Sequence, residues 1–460
     1  MTDTPQKPPR RRPSPDKGPG PGAPVPGMAA RRAAVDVLGN VVHKHRPLDL
    51  ELDPSGGHPG FRALEVKDRA LVRAILGAAL RRRSQIESIL QTLLDRPIPE
   101  KTGRVMDILH VAAAQMLFLD IPDRAAVSLA VDMAAADKRA RLYKGLVNGV
   151  LRRLGREKET LLAQPVAGAA GLPLWLATRW TEVYGEARLG EILAAQASEP
   201  ALDLSVKSDP AGWAERLGGR VVAAGSVRLQ RKGAVEDFDG FGDGGWWVQD
   251  AAASLPARLL GDIAGKRVID LCAAPGGKTA QLAAAGAEVT ALDISEKRLG
   301  RVRENLARLG LSAEVVAADV RAYTPDEPFD AILLDAPCSA TGTMRRHPDV
   351  AWTKRPSDIV TLAALQSELL RRACGWLKPG GMIVFCTCSM EPEEGEAQIS
   401  AFLSENPGFE LVPVTAGEIG GLDECITPEG YLRTLPCHFS GGTAPDGGLD
   451  GFFAARLRRL

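Results

Sequence analysis

Hydrophobic and polar positions change their period along the chain. Between residues 28 and 160 the spacing is helical. Residues 29–42 suit one helix. Leu71, Ile75 and Leu80 mark the buried face of another, which ends in Arg81-Arg82-Arg83. Ile86, Leu90, Leu93 and Leu94 continue the pattern. Val105, Ile108, Leu109 and Ala112 stand at the i, i+3, i+4, i+7 positions of one helix face. Asp123 opens a helix after Ile121-Pro122, and a last one spans residues 142–154. Residues 28–160 are therefore expected to form an all-α bundle.

Residues 161–255 read as a connector and a small mixed α/β region. Residues 174–197 look helical, and Leu202-Asp203-Leu204-Ser205-Val206-Lys207 alternates like a strand. From Lys266 on, strand and helix patterns alternate. Val268-Ile269-Asp270-Leu271 is a short apolar strand, followed by a helix from Lys278. Val289-Thr290-Ala291-Leu292-Asp293 is the next strand. A charged helix over residues 296–309 stops at Gly310, a good residue just past a helix end. Strands over residues 314–317 and 329–334 follow. A helix then carries Leu362, Leu365, Leu369 and Ala373 on one face, and Lys378-Pro379-Gly380-Gly381 turns into a strand over 382–388. This order predicts a parallel, doubly wound, Rossmann-like α/β domain over 256–460.

Composition adds limits. At roughly 100–200 residues per domain, 460 residues make two to four domains. Residues 1–27 hold nine Pro and four Gly, so a disordered, weakly basic tail is expected there. The net charge is zero, but its distribution is uneven. Residues 1–160 carry 28 basic and 18 acidic residues, net +10; the remainder carries 29 and 39, net −10. That asymmetry suggests a polyanion held by one part and chemistry done by another. No apolar run approaches the ~18–20 residues of a membrane span. No hydrophobic core follows the N-terminal basic residues, so no secretory signal is expected. Seven Cys without framework spacing read as reduced thiols. The expectation is a cytoplasmic monomer that uses no metal and no membrane.

The candidate cofactor site is Asp270-Leu271-Cys272-Ala273-Ala274-Pro275-Gly276-Gly277-Lys278-Thr279, where a first strand gives way to a first helix. Glycines there let a ligand approach the backbone, and a helix N-terminus offers free N–H groups. A phosphate-binding Walker loop needs Gly where Cys272 stands, and the dinucleotide G-x-G-x-x-G is absent. Asp293 ends the second strand, where a carboxylate can accept both hydroxyls of a ribose. Asp319 follows the third and can reach an adenine amino group; Asp335 ends the fourth. Carboxylates at successive strand ends on one sheet edge point to an adenosyl ligand. With no phosphate to grip, S-adenosylmethionine fits better than a dinucleotide.

Two cysteines are expected on the same edge: Cys338 in Asp335-Ala336-Pro337-Cys338-Ser339, and Cys388 in Cys386-Thr387-Cys388-Ser389. Carbon C5 of cytosine is a poor nucleophile until a thiolate adds at C6. A second group must then help remove the C5 proton and release the enzyme. A neighbouring carboxyl bonded to N3 stabilises the developing charge. Asp335 is placed to do that or to contact the cofactor. The spacing of Cys386, Cys388 and Cys338 does not suit zinc, with only His347 near them in sequence. Cys272, Cys374, Cys386, Cys425 and Cys437 read as packing residues, and His347 as a structural hydrogen-bonder. Glu393 and Glu394 are expected to cap the helix after Cys388.

These motifs resemble the Sun group of RNA cytosine-C5 methyltransferases. The resemblance implies that Cys388, in Thr-Cys-Ser, is the covalent nucleophile and that Cys338, in Pro-Cys-Ser, assists release. It also implies that the loop from Cys272 to Lys278, with Asp293, Asp319 and Asp335, holds S-adenosylmethionine. DNA cytosine methyltransferases use only the Pro-Cys cysteine, so the second cysteine points to RNA. Residues 77–83, 121–127 and 147–153 are similar to NusB. Arg345-Arg346-His347-Pro348-Asp349 with Trp352, Val248-Gln249-Asp250 and Asp450-Gly451-Phe452-Phe453 complete the likeness. Together they resemble the branch acting on bacterial 16S ribosomal RNA, over about residues 28–460. Gly395 departs from the Asn of many relatives. A tRNA methyltransferase and a non-catalytic antitermination factor are the rival readings. Arg81–83, Arg152–153, Arg345–346 and Lys354–Arg355 are the candidate phosphate contacts, Arg345–346 most of all because it follows the Pro-Cys loop.

Overall fold

A computed structural model describes residues 25–99, 102–163, 171–230, 233–439 and 447–460. The expected tail over 1–27 lies outside the described residues up to residue 24. Helices Met28–Lys44, Val66–Arg81, Arg83–Leu93, Val105–Phe118, Asp123–Ala136 and Lys144–Ala163 pack into the N-terminal bundle. Val105–Phe118 is its central helix. Every side chain from Asp107 to Met116 is buried, as befits a segment that is apolar nearly all round. Leu38, Val72, Ile75, Leu90, Val147 and Leu151 close over it from neighbouring helices.

The helix Leu174–Gln196 is not continuous. Gly185 takes φ 76°, a conformation a glycine adopts without a Cβ clash, and breaks it. A small antiparallel sheet follows. Its strands are β1 (Leu202–Val206), β2 (Arg220–Val221), β3 (Val227–Leu229) and β4 (Trp246–Val248), in the order β2-β3-β1-β4.

The large sheet holds β5 (Arg267–Leu271), β6 (Glu288–Asp293), β7 (Glu314–Ala317), β8 (Phe329–Asp335), β9 (Leu377–Thr387), β10 (Phe409–Leu411), β11 (Leu432–Thr434) and β12 (Phe452–Arg459). Their order is β10-β12-β9-β8-β5-β6-β7, with β11 beside β12. Strands β5 to β9 pair in parallel. Strands β10 to β12 pair antiparallel. The sheet is thus mixed, not wholly parallel, because an apolar run does not encode strand direction. Its parallel strands read as continuous apolar runs because both faces are covered. Val268, Leu333 and Val384 enter one core, while Ile269, Leu334 and Phe385 enter the other. The turn expected at residues 378–381 is instead part of β9. It is absorbed by a register shift against β8, with Gly380 at φ 74°.

The arginine clusters correct a second expectation. Arg81 donates to the carbonyl of Arg345 (2.8 Å), Arg82 to that of Ala197 (2.9 Å), and Arg83 stacks over Trp352. The Trp352 indole N–H donates to Leu80 O, and the Leu48 N–H to Asp349. Arg345 is 2 % exposed. Arg346 lies between Asp250 (2.5 Å) and Asp450 (3.2 Å). These guanidiniums join the bundle and the small sheet to the segment after Cys338; they are not free for phosphate. Arg153 is paired with Glu157. Arg152 and Arg355 stay exposed.

Candidate active site

Strand β5 ends at Leu271, and Cys272 turns the chain at φ 62°. The Ala273 N–H donates to Leu292 O (3.0 Å), so the loop hangs on β6. Gly276 takes φ 99°, and a Cβ there would approach Val302 to 3.1 Å. Only glycine suits that position. Helix Gly277–Ala284 starts at once, and its first-turn amides have no partner within the helix.

Three acids gather on this edge. Asp270 is fully buried; the Thr279 hydroxyl donates to its Oδ2 (2.6 Å), while its Oδ1 has no hydrogen-bond partner among the described residues. Burial pushes its carboxyl up to about 7 against the pull of Thr279, and Asp335 and Asp293 add to the rise. Asp293, also buried, accepts from the N–H groups of Ala274 (3.1 Å) and Ser295 (2.9 Å), with Arg298 3.4 Å away. Asp335 accepts from the Lys278 ammonium (2.8 Å), and the Cys386 thiol lies 3.6 Å from it. Burial opposes the Lys278 charge, but Asp335, Cys386 and Cys388 outweigh it and hold the amine protonated. Asp319 stands apart at the surface, where the Arg321 side chain and N–H keep its carboxyl low.

Ladder bonding between β8 and β9 brings the two cysteine segments side by side. Asp335 pairs with Cys386, and the Ala336 N–H donates to Cys386 O (2.9 Å). The Gly342 N–H then donates to Cys388 O (3.0 Å). The result is a Cys338–Cys388 sulfur separation of 3.4 Å, with both side chains half-buried. The Cys338 thiol is pushed well above its ordinary range, first by its hydrogen bond to Cys388, then by burial and the nearby negative charges. Two thiols in contact cannot both ionise cheaply. Either sulfur can donate to the other.

Glu393 and Glu394 do not cap the following helix. Glu393 pairs with Arg179 (2.7 Å). Glu394 is fully buried and binds Ser339 and Ser389, the residues after the two cysteines. Sequence reasoning missed this bridge, although the repeated Cys-Ser was a visible hint. At Gly395 a Cβ would come 2.6 Å from the Arg433 guanidinium and 2.9 Å from Phe453. Among the other cysteines, Cys374, Cys386 and Cys425 are buried, Cys272 and Cys437 half-buried. Cys425 lies 3.3 Å from His438 Nδ1, and His347 faces Asp49 across 3.4 Å. Among the described residues no group of three or more His, Cys, Asp or Glu side chains could hold a metal.

Residues 257–458 match the family described as 16S rRNA methyltransferase RsmB/F, and residues 28–156 match the NusB family. The chain is 39% identical over 418 residues to ribosomal RNA small subunit methyltransferase B of Klebsiella pneumoniae subsp. pneumoniae, covering 86% of this chain and 95% of that protein. The chain belongs to the RsmB/F methyltransferase family. Members of this family depend on S-adenosylmethionine. The solved structure titled PH0851 shares the fold over 95% of this chain and all of its own, at TM-score 0.72 and 22% identity. A methyltransferase homolog protein from Pyrococcus horikoshii is 29% identical, with TM-score 0.51 over 62% of this chain and 95% of its own. The cleft suits such a donor. Asp270 Oδ1 is unsatisfied, and the acids outnumber the cations, as a site for a cationic ligand requires.

Proposed function

We propose that the protein methylates C5 of a cytosine in small-subunit ribosomal RNA through a covalent bond between Cys388 and C6 of the base. The observation that carries this reading is the contact between the Cys338 and Cys388 sulfurs at 3.4 Å. A single nucleophile would not need a second thiol against it. The substrate class rests on relatives that bear the name small subunit methyltransferase B, and such a substrate places the protein in the cytoplasm.

The Lys278 ammonium lies within electrostatic reach of Cys388, and the Cys338 sulfur within hydrogen-bond reach of it. Attack at C6 makes C5 nucleophilic, and a carboxyl at N3 stabilises the charge that develops on the ring. Asp335, at the end of β8 three residues before Cys338 and paired with Lys278, is the group for that contact. S-Adenosylmethionine, when bound, supplies the methyl group. The loop from Cys272 to Lys278 lines its site, Asp293 takes the ribose hydroxyls, and Asp319 takes the adenine amino group. Once Cys388 carries carbon instead of charge, the main influence raising the Cys338 pKa is gone. Cys338 can then lose its proton to water, and the thiolate takes the one on C5. The Cys388–C6 bond breaks as the C5–C6 double bond re-forms. The target base must leave any stack to reach this edge. Arg124, Arg152 and Arg156 line a groove on the bundle and can meet RNA phosphates there.

The test compares two variants on transcribed small-subunit ribosomal RNA. Cys388→Ala should form no adduct and transfer no methyl. Cys338→Ala should transfer the methyl but accumulate a covalent protein–RNA species that survives denaturing electrophoresis and requires S-adenosylmethionine. Trapping by Cys388→Ala alone would reverse the two roles. Full methylation by both variants would end the covalent reading.

A further inference from the structure

We propose that Glu394 is the positioning residue that sets the distance between the two thiols. This inference rests on the two-cysteine reading above. The β8–β9 ladder pairs residues only as far as Asp335 and Cys386. Beyond it the chains part, and regular strand pairing no longer fixes where Cys338 and Cys388 sit.

Glu394 takes over at that point. Its Oε1 accepts from the Ser339 N–H (2.9 Å) and from the Gln366 amide (3.0 Å). Its Oε2 accepts from the Ser389 hydroxyl (2.5 Å) and from the Ser339 hydroxyl. Each cysteine is thus followed by a serine bound to the same carboxylate. Gln366 also donates to Pro337 O (2.9 Å), which fixes the residue before Cys338. The Thr387 hydroxyl donates to the backbone carbonyl of Glu394 (3.0 Å), which fixes the residue before Cys388. All of these donors are neutral, and among the described residues no Lys, Arg or His forms an ion pair with the fully buried Glu394. A buried carboxylate without an ionic partner is costly unless hydrogen bonds surround it. Such a group is better explained by the geometry it holds than by stability.

The inference predicts a loss of rate without a loss of binding. Displacing a reacting atom by about 1 Å can cost about 10²-fold. Glu394→Gln keeps the shape but turns one acceptor into a donor, so either the two serine hydroxyls or the Ser339 N–H and the Gln366 amide lose their acceptor. Its kcat should fall on the order of 100-fold, with the KM for transcribed ribosomal RNA and the affinity for S-adenosylhomocysteine unchanged. A second readout needs no RNA. Diamide oxidises two adjacent thiols to a disulfide, taking two electrons and two protons as it is reduced to the hydrazine. In the full-length protein the Cys338–Cys388 disulfide should form readily, and in Glu394→Gln at least about tenfold more slowly, as read by mass spectrometry. If Glu394→Gln does not fold, Ser389→Ala removes one tie and should lower both rates by a smaller factor. Unchanged kcat together with an unchanged oxidation rate overturns the proposal. Slower oxidation with full methylation by Cys388→Ala would instead overturn the two-cysteine reading and leave the clamp standing.

Discussion

Two buried clusters of charge in this molecule are built on opposite plans. At the junction of bundle, small sheet and the segment after Cys338, Asp203, Asp250 and Asp450 meet Arg228, Arg345 and Arg346, three charges against three. Asp250 is fully enclosed, yet Arg346 and Arg345 overcome its burial and hold its carboxyl below the ordinary range. Only Asp450 is pushed up, to about 7, by burial and by Asp250. At the ends of β5, β6 and β8, Asp270, Asp293 and Asp335 have one buried cation, Lys278, and a half-exposed one, Arg298. The junction neutralises itself, as a structural network must. The cleft keeps an excess of negative charge that the protein does not cancel. A sulfonium and an ammonium group, both carried by S-adenosylmethionine, would cancel it.

The sharpest way to break this contrast is to unbalance the junction. Arg346→Ala leaves Asp250 and Asp450 buried without their guanidinium. The expected loss is about 3–5 kcal/mol of folding stability, measured by urea denaturation. A loss below about 1 kcal/mol would show that water or Arg345 can replace it, and that the junction is no more self-contained than the cleft.

The cleft should respond to pH through Asp270, as the junction should through Asp450. The carboxyl of Asp270 titrates near 7 in the folded chain, against about 3.9 when unfolded. The native state therefore keeps a proton that the unfolded chain gives up. Stability from this group is full below about pH 4 and falls as pH rises towards 7, by on the order of 3 kcal/mol. Asp270→Asn should remove that part of the slope, and saturating S-adenosylmethionine should shrink it in the parent protein. Parallel stability–pH curves for parent and variant would place the excess charge elsewhere.

Much of this was legible in the sequence because period and punctuation are local. The bundle followed from the 3.6-residue spacing around Val105 and Ile108, and the helix stop from the glycine after the charged run, Gly310, which takes φ 60°. The tight loop over residues 272–276 followed from its glycines between a strand and a helix. What was not legible depended on partners distant in sequence. A run such as Arg81-Arg82-Arg83 looks the same whether it faces solvent or the Arg345 carbonyl, 264 residues away. Glu394 looked like a helix cap because its true partner, Ser339, lies 55 residues earlier. Strand β12 went unread for the same reason, since its partner β9 lies far back in the chain.

The smallest expected effect tests whether an acid of the cleft serves the ligand or the loop. Asp293→Ala should weaken S-adenosylhomocysteine binding by about 1.5–3 kcal/mol, measured by calorimetry. That loss has two possible sources, because Asp293 also accepts from the N–H groups of Ala274 and Ser295. A dideoxy analogue that lacks both ribose hydroxyls separates them. If Asp293 accepts from the hydroxyls, their removal weakens binding to the parent protein but not to Asp293→Ala. The two losses then fail to add, by about 1 kcal/mol or more. If Asp293 only braces the loop, the losses add and the coupling is near zero. Its carboxylate would then be satisfied by the protein, as that of Asp250 is at the junction, and the unbalanced charge of the cleft would rest on Asp270 and Asp335 alone.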